Sequence, residues 1–252
     1  MLFPRFSRLA VVDETKTGWL LKIPAGDTGN YRLAQLDNYG NLPRRLFPLS
    51  SPSSLHLMCR ASANSIPGTW GFGFWNDPFA YSLGLRGTVA RLPAIPNACW
   101  FFHSSPENHL SLRDDLAGNG FLMQVFRSPK IPSVFLLPGL AGLPLLFTIL
   151  TSRWLRALTR ATIQDDSQLV NLDVTEWHSY GMVWHPEGLI FSIDEKVVFK
   201  SALCPLGPLG IVIWIDNQFA AWRPDGKIAA GTLKQNNESW LEIKQVATKN
   251  PF

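Results

Sequence analysis

Short apolar runs, cut by Gly, Pro, Asn and Asp, make up most of this chain. Ser54 to Ser62, SLHLMCRAS, alternates apolar and polar positions, the period of a half-buried strand. Gly120 to Phe126 alternates again. Ala98 to His103, ACWFFH, is apolar on both faces, as in an inner strand of a stacked sheet. Gly71 to Trp75 is a short aromatic run. Ser179 to His185, Leu189 to Ile193 and Lys196 to Phe199 form a series joined by His-Pro-Glu-Gly at 185 to 188 and Asp-Glu at 194 to 195. Gly210 to Ile215 and Trp240 to Val246 complete the predicted strands. Many short strands at turn-marked spacing predict one all-β sandwich or barrel over 1–252. No βα alternation and no phosphate loop is visible, which argues against a nucleotide-binding α/β fold.

One segment, at about 130–168, breaks the pattern. Val134 to Leu150 carries no charge, and TSRWLRALTRA after it has helical character. Trp154, Leu155, Leu158 and Ile163 can share one face of that helix, with Arg153, Arg156 and Arg160 on another. The apolar run contains Pro138, Pro144, Gly139 and Gly142 and falls short of the ~20 apolar residues of a spanning helix. The expected element is an apolar, mainly helical insertion. It reads either as a lid, or as a peripheral membrane contact through 134–160 with arginines near the headgroups and Trp154 at the interface.

Composition sharpens this only in places. Apolar residues make up 46% of the chain and aromatics 12%, with ten tryptophans, so either a thick core or a ring-lined ligand site is expected and disorder is excluded. The net charge of +4 is modest, but no acidic residue occurs between Leu116 and Gln164, where Arg127, Lys130, Arg153, Arg156 and Arg160 fall. That local excess points to a membrane surface or an anionic partner, and no nucleic-acid-binding signature accompanies it. Cys59, Cys99 and Cys204 are odd in number and widely spaced. They read as buried thiols in a cytoplasmic protein, possessing neither a disulfide framework nor a metal motif. The N-terminal stretch, broken by Pro4, Arg5 and Arg8, reads as lacking a secretory signal.

TEWHSYGMVWHPEGLIFSIDEKVVFK, 175 to 200, resembles the segment W-H-x-Y-x-x-x-W-x-P-x-x-(I/L)-x-F-x-(I/V)-D of glycoside hydrolase family 16. The matching residues are Trp177, His178, Tyr180, Trp184, Pro186, Leu189, Phe191, Ile193 and Asp194. LHLMCRASANSIPGTWGFGFW resembles the same family's strand pair leading to its central G-x-W-P-A-F-W strand. YRLAQLDNY (31 to 39) and PLGPLGIVIWIDNQFAAWRPDG (205 to 226) resemble a bacterial subgroup with such domains. The resemblance implies a concanavalin A-like jelly-roll sandwich of two antiparallel sheets, with ligand in the groove of the concave sheet. It also implies a Glu-x-Asp-x-Glu or Glu-x-Asp-x-x-Glu motif on the strand after GFGFW. In retaining enzymes the two acting carboxyl groups stand about 5–5.5 Å apart, and alternate strand positions deliver them to one face. Here that strand, ACWFFHSSPENHLSL, carries no carboxylate on either face, and Glu107 follows Pro106 at an expected turn. Glu238 and Glu242 read as solvated charge.

The candidate site residues follow. In GTWGFGFWNDPF, residues 68 to 79, Trp70, Phe72 and Phe74 point one way and Gly71, Gly73 and Trp75 the other. This reads either as packing alone or as a glycine-cleared hollow with Trp75 as its aromatic platform. Trp75, Asn76, Trp100, His103, Asn108, Asn217 and Gln218 are the expected ligand-binding residues. Asp77, His103, Glu107 and Asp216 are the candidates for acid–base chemistry. Turn formation by Asn76-Asp77 and by Asp216-Asn217-Gln218, and a satisfied inner-face His103, are the competing structural readings. Neither a metal nor a cofactor is expected. The preferred function is a groove-binding protein or non-glycosidase catalyst for a glycan, glycolipid or other amphiphilic small molecule. The alternatives are a glycosidase with displaced carboxylates, or a peripheral membrane scaffold.

Overall fold

The computed structural model describes residues 1–7, 9–78, 91–131 and 148–249. The apolar run expected at 134–150 therefore lies mostly outside the described residues.

Two seven-stranded antiparallel sheets face each other. The first has the order β1-β4-β13-β6-β7-β8-β9, from Phe3–Phe6, Leu33–Asp37, Gly210–Asp216, Thr69–Trp75, Ala98–Ser104, Gly120–Arg127 and Gln164–Leu169. The second has the order β12-β11-β10-β5-β16-β3-β2, from Lys196–Ser201, Gly188–Ile193, His178–His185, Ser53–Ala61, Ser239–Lys249, Gly18–Ile23 and Val11–Thr15. A small ribbon pairs β14, Gln218–Trp222, with β15, Ile228–Thr232. Among the described residues one α-helix, α1, spans Ile149–Thr162. This is the jelly-roll sandwich that the strand pattern and the resemblance predict. Strands β1 to β4, β9, β14 and β15 are additional to those that the alternation picks out.

The main core fills the space between the sheets. The first contributes Trp70, Phe72, Phe74, Phe101, Ile211 and Ile213, and the second Leu55, Leu57, Tyr180, Trp184, Phe191 and Ile243. Their rings meet edge to face, as Phe101 does with Tyr180 and Phe191. Of the two tryptophans in the family-like segment, Trp184 is fully enclosed, while Trp177 is half-buried on the outside, where Arg60 and Lys244 lie over its ring.

Every residue of β4, β7 and β13 is buried. The reason is a second apolar cluster on the outer face of the first sheet, with Trp100, Phe102, Leu122, Val212 and Trp214. Tyr39, Phe47 and Ile163 pack over it, with Leu110 and Leu112 at its margin. A strand covered on both sides loses its alternation, which is why ACWFFH reads as continuous.

Candidate functional site

The outer face of the first sheet is laid out by register. Thr69, Gly71, Gly73 and Trp75 of β6 lie opposite Ser104, Phe102, Trp100 and Ala98 of β7. On the other flank Gly71 faces Trp214 and Gly73 faces Val212 of β13. The two glycines do not leave a hollow. A Cβ on Gly71 would come within 2.9 Å of the Trp214 ring and 2.4 Å of the Phe101 carbonyl. A Cβ on Gly73 would come within 2.6 Å of the Trp100 Cβ and 2.2 Å of the Cys99 carbonyl. The space is taken by the backbone of β7 and, at Gly71, by the Trp214 indole, so glycine here serves close approach of the neighbouring strands.

Trp75, Trp100 and Trp214 form one group. The Trp75 and Trp214 rings are parallel within 5° at 6.4 Å, and Trp100 stands at 5.7 Å from Trp214. Trp100 and Trp214 are enclosed, and Trp75 is the partly exposed member. Each indole N–H is held by a polar side chain that leads to a carboxylate. Trp75 Nε1 donates to the Tyr39 hydroxyl at 2.6 Å. Gln35 Nε2 bridges that hydroxyl and Asp37, at 3.4 and 3.0 Å. Trp100 Nε1 donates to Gln124 at 3.3 Å, and Gln124 donates to Asp165 at 3.1 Å. Trp214 Nε1 donates to the Thr69 hydroxyl at 3.0 Å, and Thr69 donates to Asp216 at 2.8 Å. Anchored N–H groups fix the ring planes, and of the three rings Trp75 is the one a ligand can reach.

The three carboxylates differ in surroundings. Asp37 accepts from Arg5 at 2.6 Å and from two backbone amides. Asp165 accepts from the Ser111 hydroxyl and the Leu112 amide. Asp216 has no cation among its hydrogen-bond partners within the described residues; burial pushes its carboxyl up to about 7, against the pull of bonds from Thr69, the Gln218 amide and Tyr31. Burial and the nearby Asp216 in turn raise the Tyr31 phenol.

The other expected residues scatter. Asp77, just beyond β6, pairs with Arg91 at 2.6 Å; burial raises its carboxyl while Arg91 and Arg44 pull it down. Asp216 lies opposite Thr69 and Asp77 lies past Trp75, so strand rise alone puts them on the order of 20 Å apart. That separation is beyond either glycosidase carboxylate spacing. Glu107 is exposed in the turn after β7. His103 points between the sheets, stacked on Trp70 at 5.4 Å with 12° between planes. Burial lowers it to about 4, and its Nδ1 has no hydrogen-bond partner among the described residues. Asn76, Asn108 and Asn217 each engage both ends of the amide, largely with backbone groups, pinning loops. Gln218 is half-buried at the start of β14. The geometry thus gathers Trp75, Trp100 and Asp216 on one face and disperses the rest. Gln35, Tyr39, Thr69, Gln124 and Asp165 also belong to that face. The one sequence signal for them is their spacing at alternate strand positions.

No family model matches the chain, and no curated protein matches it. Solved structures do. A glycoside hydrolase family 16 protein of the Bacteroides ovatus mixed-linkage glucan locus, in complex with product, aligns over 96% of this chain and 86% of its own, at 11% identity and a TM-score of 0.50. An endo-β-galactosidase from Clostridium perfringens aligns over 94% and 53%, at 10% identity and 0.48. A Bacillus licheniformis β-glucanase aligns over 95% and 82%, at 8% identity and 0.47. The fold is that of a family 16-like, concanavalin A-like sandwich; at such identities the likeness carries the fold alone.

Proposed function

We propose that the protein binds a glycan, glycolipid or other amphiphilic small molecule on the outer face of the first sheet. It acts there as a binding protein or as a catalyst other than a family 16 glycosidase. The observation that supports this most is the indole group on that face, held rigid by its three anchored N–H groups and with Trp75 partly open to solvent. A sugar ring offers an apolar C–H face that stacks on such a surface, while its hydroxyls find hydrogen bonds at the edges. The product-bound family 16 protein of the mixed-linkage glucan locus supports a glycan as the first ligand class to try. Strand β7 presents Ala98, Trp100, Phe102 and Ser104 to this face, none of them a carboxylate, which favours binding over the family's usual hydrolysis. The three buried, unbridged cysteines favour a reducing, cytoplasmic setting.

The test is calorimetric titration with mixed-linkage β-glucan oligosaccharides, alongside a reducing-end assay. Binding without new reducing ends is expected, with affinity about tenfold lower for Trp75→Ala, the loss of one stacked ring. A single observation favours the glycosidase alternative: Asp216, protonated up to about pH 7, has the form of a general acid. Reducing-end release that disappears in Asp216→Asn would establish that alternative instead.

A further inference from the structure

Helix α1 is mounted with its polar side inward. Ser152 and Arg156, one turn apart, are its buried residues. Ser152 Oγ accepts from Trp222 Nε1 at 3.0 Å. Arg156 donates to the backbone carbonyls of Ser111, Leu112, Arg113 and Trp222 and to the Asp114 carboxylate. At about 100° per residue the opposite arc carries Leu150, Trp154 and Leu158, with Arg153 and Arg160 along one flank. Leu150 is 78% exposed, Trp154 64% and Leu158 51%. Of Trp154, Leu155, Leu158 and Ile163, expected on one face, Trp154 and Leu158 share a face that looks outward, while Leu155 is half-buried and Ile163, the C-cap, is buried in the outer-face cluster. A helix on a globular protein normally turns its apolar stripe to the core and its charges to water. This one buries Ser152 and Arg156 and leaves Leu150, Trp154 and Leu158 in water.

The charge around the stripe decides what fits it. Helix α1 has three arginines and no acid. The turn that joins β14 to β15 packs on its first turn, where a Cβ on Gly226 would come within 2.6 Å of the Ile149 carbonyl. That turn adds Arg223, exposed, and Lys227, which is paired with Asp225 at 3.3 Å. Asp114 is bound to Arg156 and Arg160, and Asp115 and Asp165 lie near those two arginines, so Arg153 is the helix cation farthest from acids. A second copy related by a twofold axis would bring this cationic rim against itself. An anionic lipid surface satisfies both parts: the apolar stripe enters the headgroup–acyl boundary and the arginines meet phosphates. No helix among the described residues is long and apolar enough to cross a membrane, so α1 would lie along it.

We propose that α1 docks the protein onto an anionic lipid surface through Leu150, Trp154 and Leu158, with Arg153 and Arg223 at the headgroups. The test is flotation of the full chain with phosphatidylcholine vesicles, with and without phosphatidylglycerol. The chain should float with the anionic vesicles alone. The double variant Trp154→Ser, Leu158→Ser should lower vesicle partitioning by about tenfold or more, because two large apolar side chains no longer leave water. Arg153→Glu should weaken flotation and its sensitivity to salt. All three positions are exposed, so unchanged circular dichroism is the control for folding. Absence of flotation, or flotation unaffected by the double variant, overturns the proposal. So does a dimer in light scattering that the double variant converts to monomers. Trp75→Ala should float like the unmodified chain, which separates lipid docking from glycan binding.

Discussion

His103 and Asp216 stand on opposite faces of the first sheet, and burial moves both toward their neutral forms. For His103 the folded value, about 4, lies below the ordinary 6.5. Between those values the unfolded chain binds the extra proton, so folding stability falls as pH drops from 6.5 toward 4. For Asp216 the folded value, about 7, lies above the ordinary 3.8. Between those values the folded chain binds the extra proton, so this group's contribution is largest at low pH and is lost as pH rises toward 7. The two effects oppose each other from about pH 4 to 6.5 and are separable by substitution. His103→Phe keeps a ring on Trp70 and should remove the acid-side loss, a change of up to about 3 kcal/mol across the window. Asp216→Asn should remove the loss on going from pH 4 to 7. Urea midpoints measured from pH 4 to 8 check both; an unchanged slope in either variant would show that its group titrates normally.

At the scale of an element, α1 is attached by a guanidinium and a hydroxyl more than by apolar burial. Arg156 caps carbonyls from the loop after β7 and from the end of β14, so it fastens the helix to two segments that already meet at the His109–Ala221 bridge. Arg156→Met keeps the length and removes every donor, leaving those carbonyls without a partner. A cost of about 2–4 kcal/mol is expected, localised to the attachment of the helix. Amide exchange should then speed up across 149–162 while β6, β7 and β13 keep their protection. Equal acceleration in those strands would contradict a local role. The sequence displays α1 clearly, through its apolar spacing and the absence of interruptions after Thr148. Its orientation is not displayed, because apolar periodicity identifies a face without saying what that face meets. The carbonyls that draw Arg156 inward come from positions 111–113 and 222, which only the fold brings to the helix.

For the molecule as a whole, the strand order makes the two ends of the chain interdependent. β16 lies between β5 and β3 in the second sheet, and β13 between β4 and β6 in the first. Removing residues 239–252 would strip a central strand, exposing the edges of β3 and β5 and the core around Leu241 and Ile243. Such a truncation should give no cooperative thermal transition and should aggregate on expression. A soluble truncated chain with a sharp transition would mean that the second sheet closes without β16.

The sequence by itself determined the all-β class, the strands with alternating or doubly apolar patterns, the inward set Trp70, Phe72 and Phe74, and the presence of a helix in a basic, acid-free stretch. These follow from local periodicity, which side-chain geometry on a strand or helix imposes directly. The less regular strands β1 to β4 and β9 escaped, since short polar strands such as Gln164–Leu169 owe their place to a neighbour's ladder. Only the tertiary structure decided that Gly71 and Gly73 admit the β7 backbone and the Trp214 indole, that His103 faces the core, and that α1 turns Arg156 inward. Each depends on which atoms lie across the next strand or loop. That information is held in pairings between residues far apart in the chain, and local pattern does not carry it.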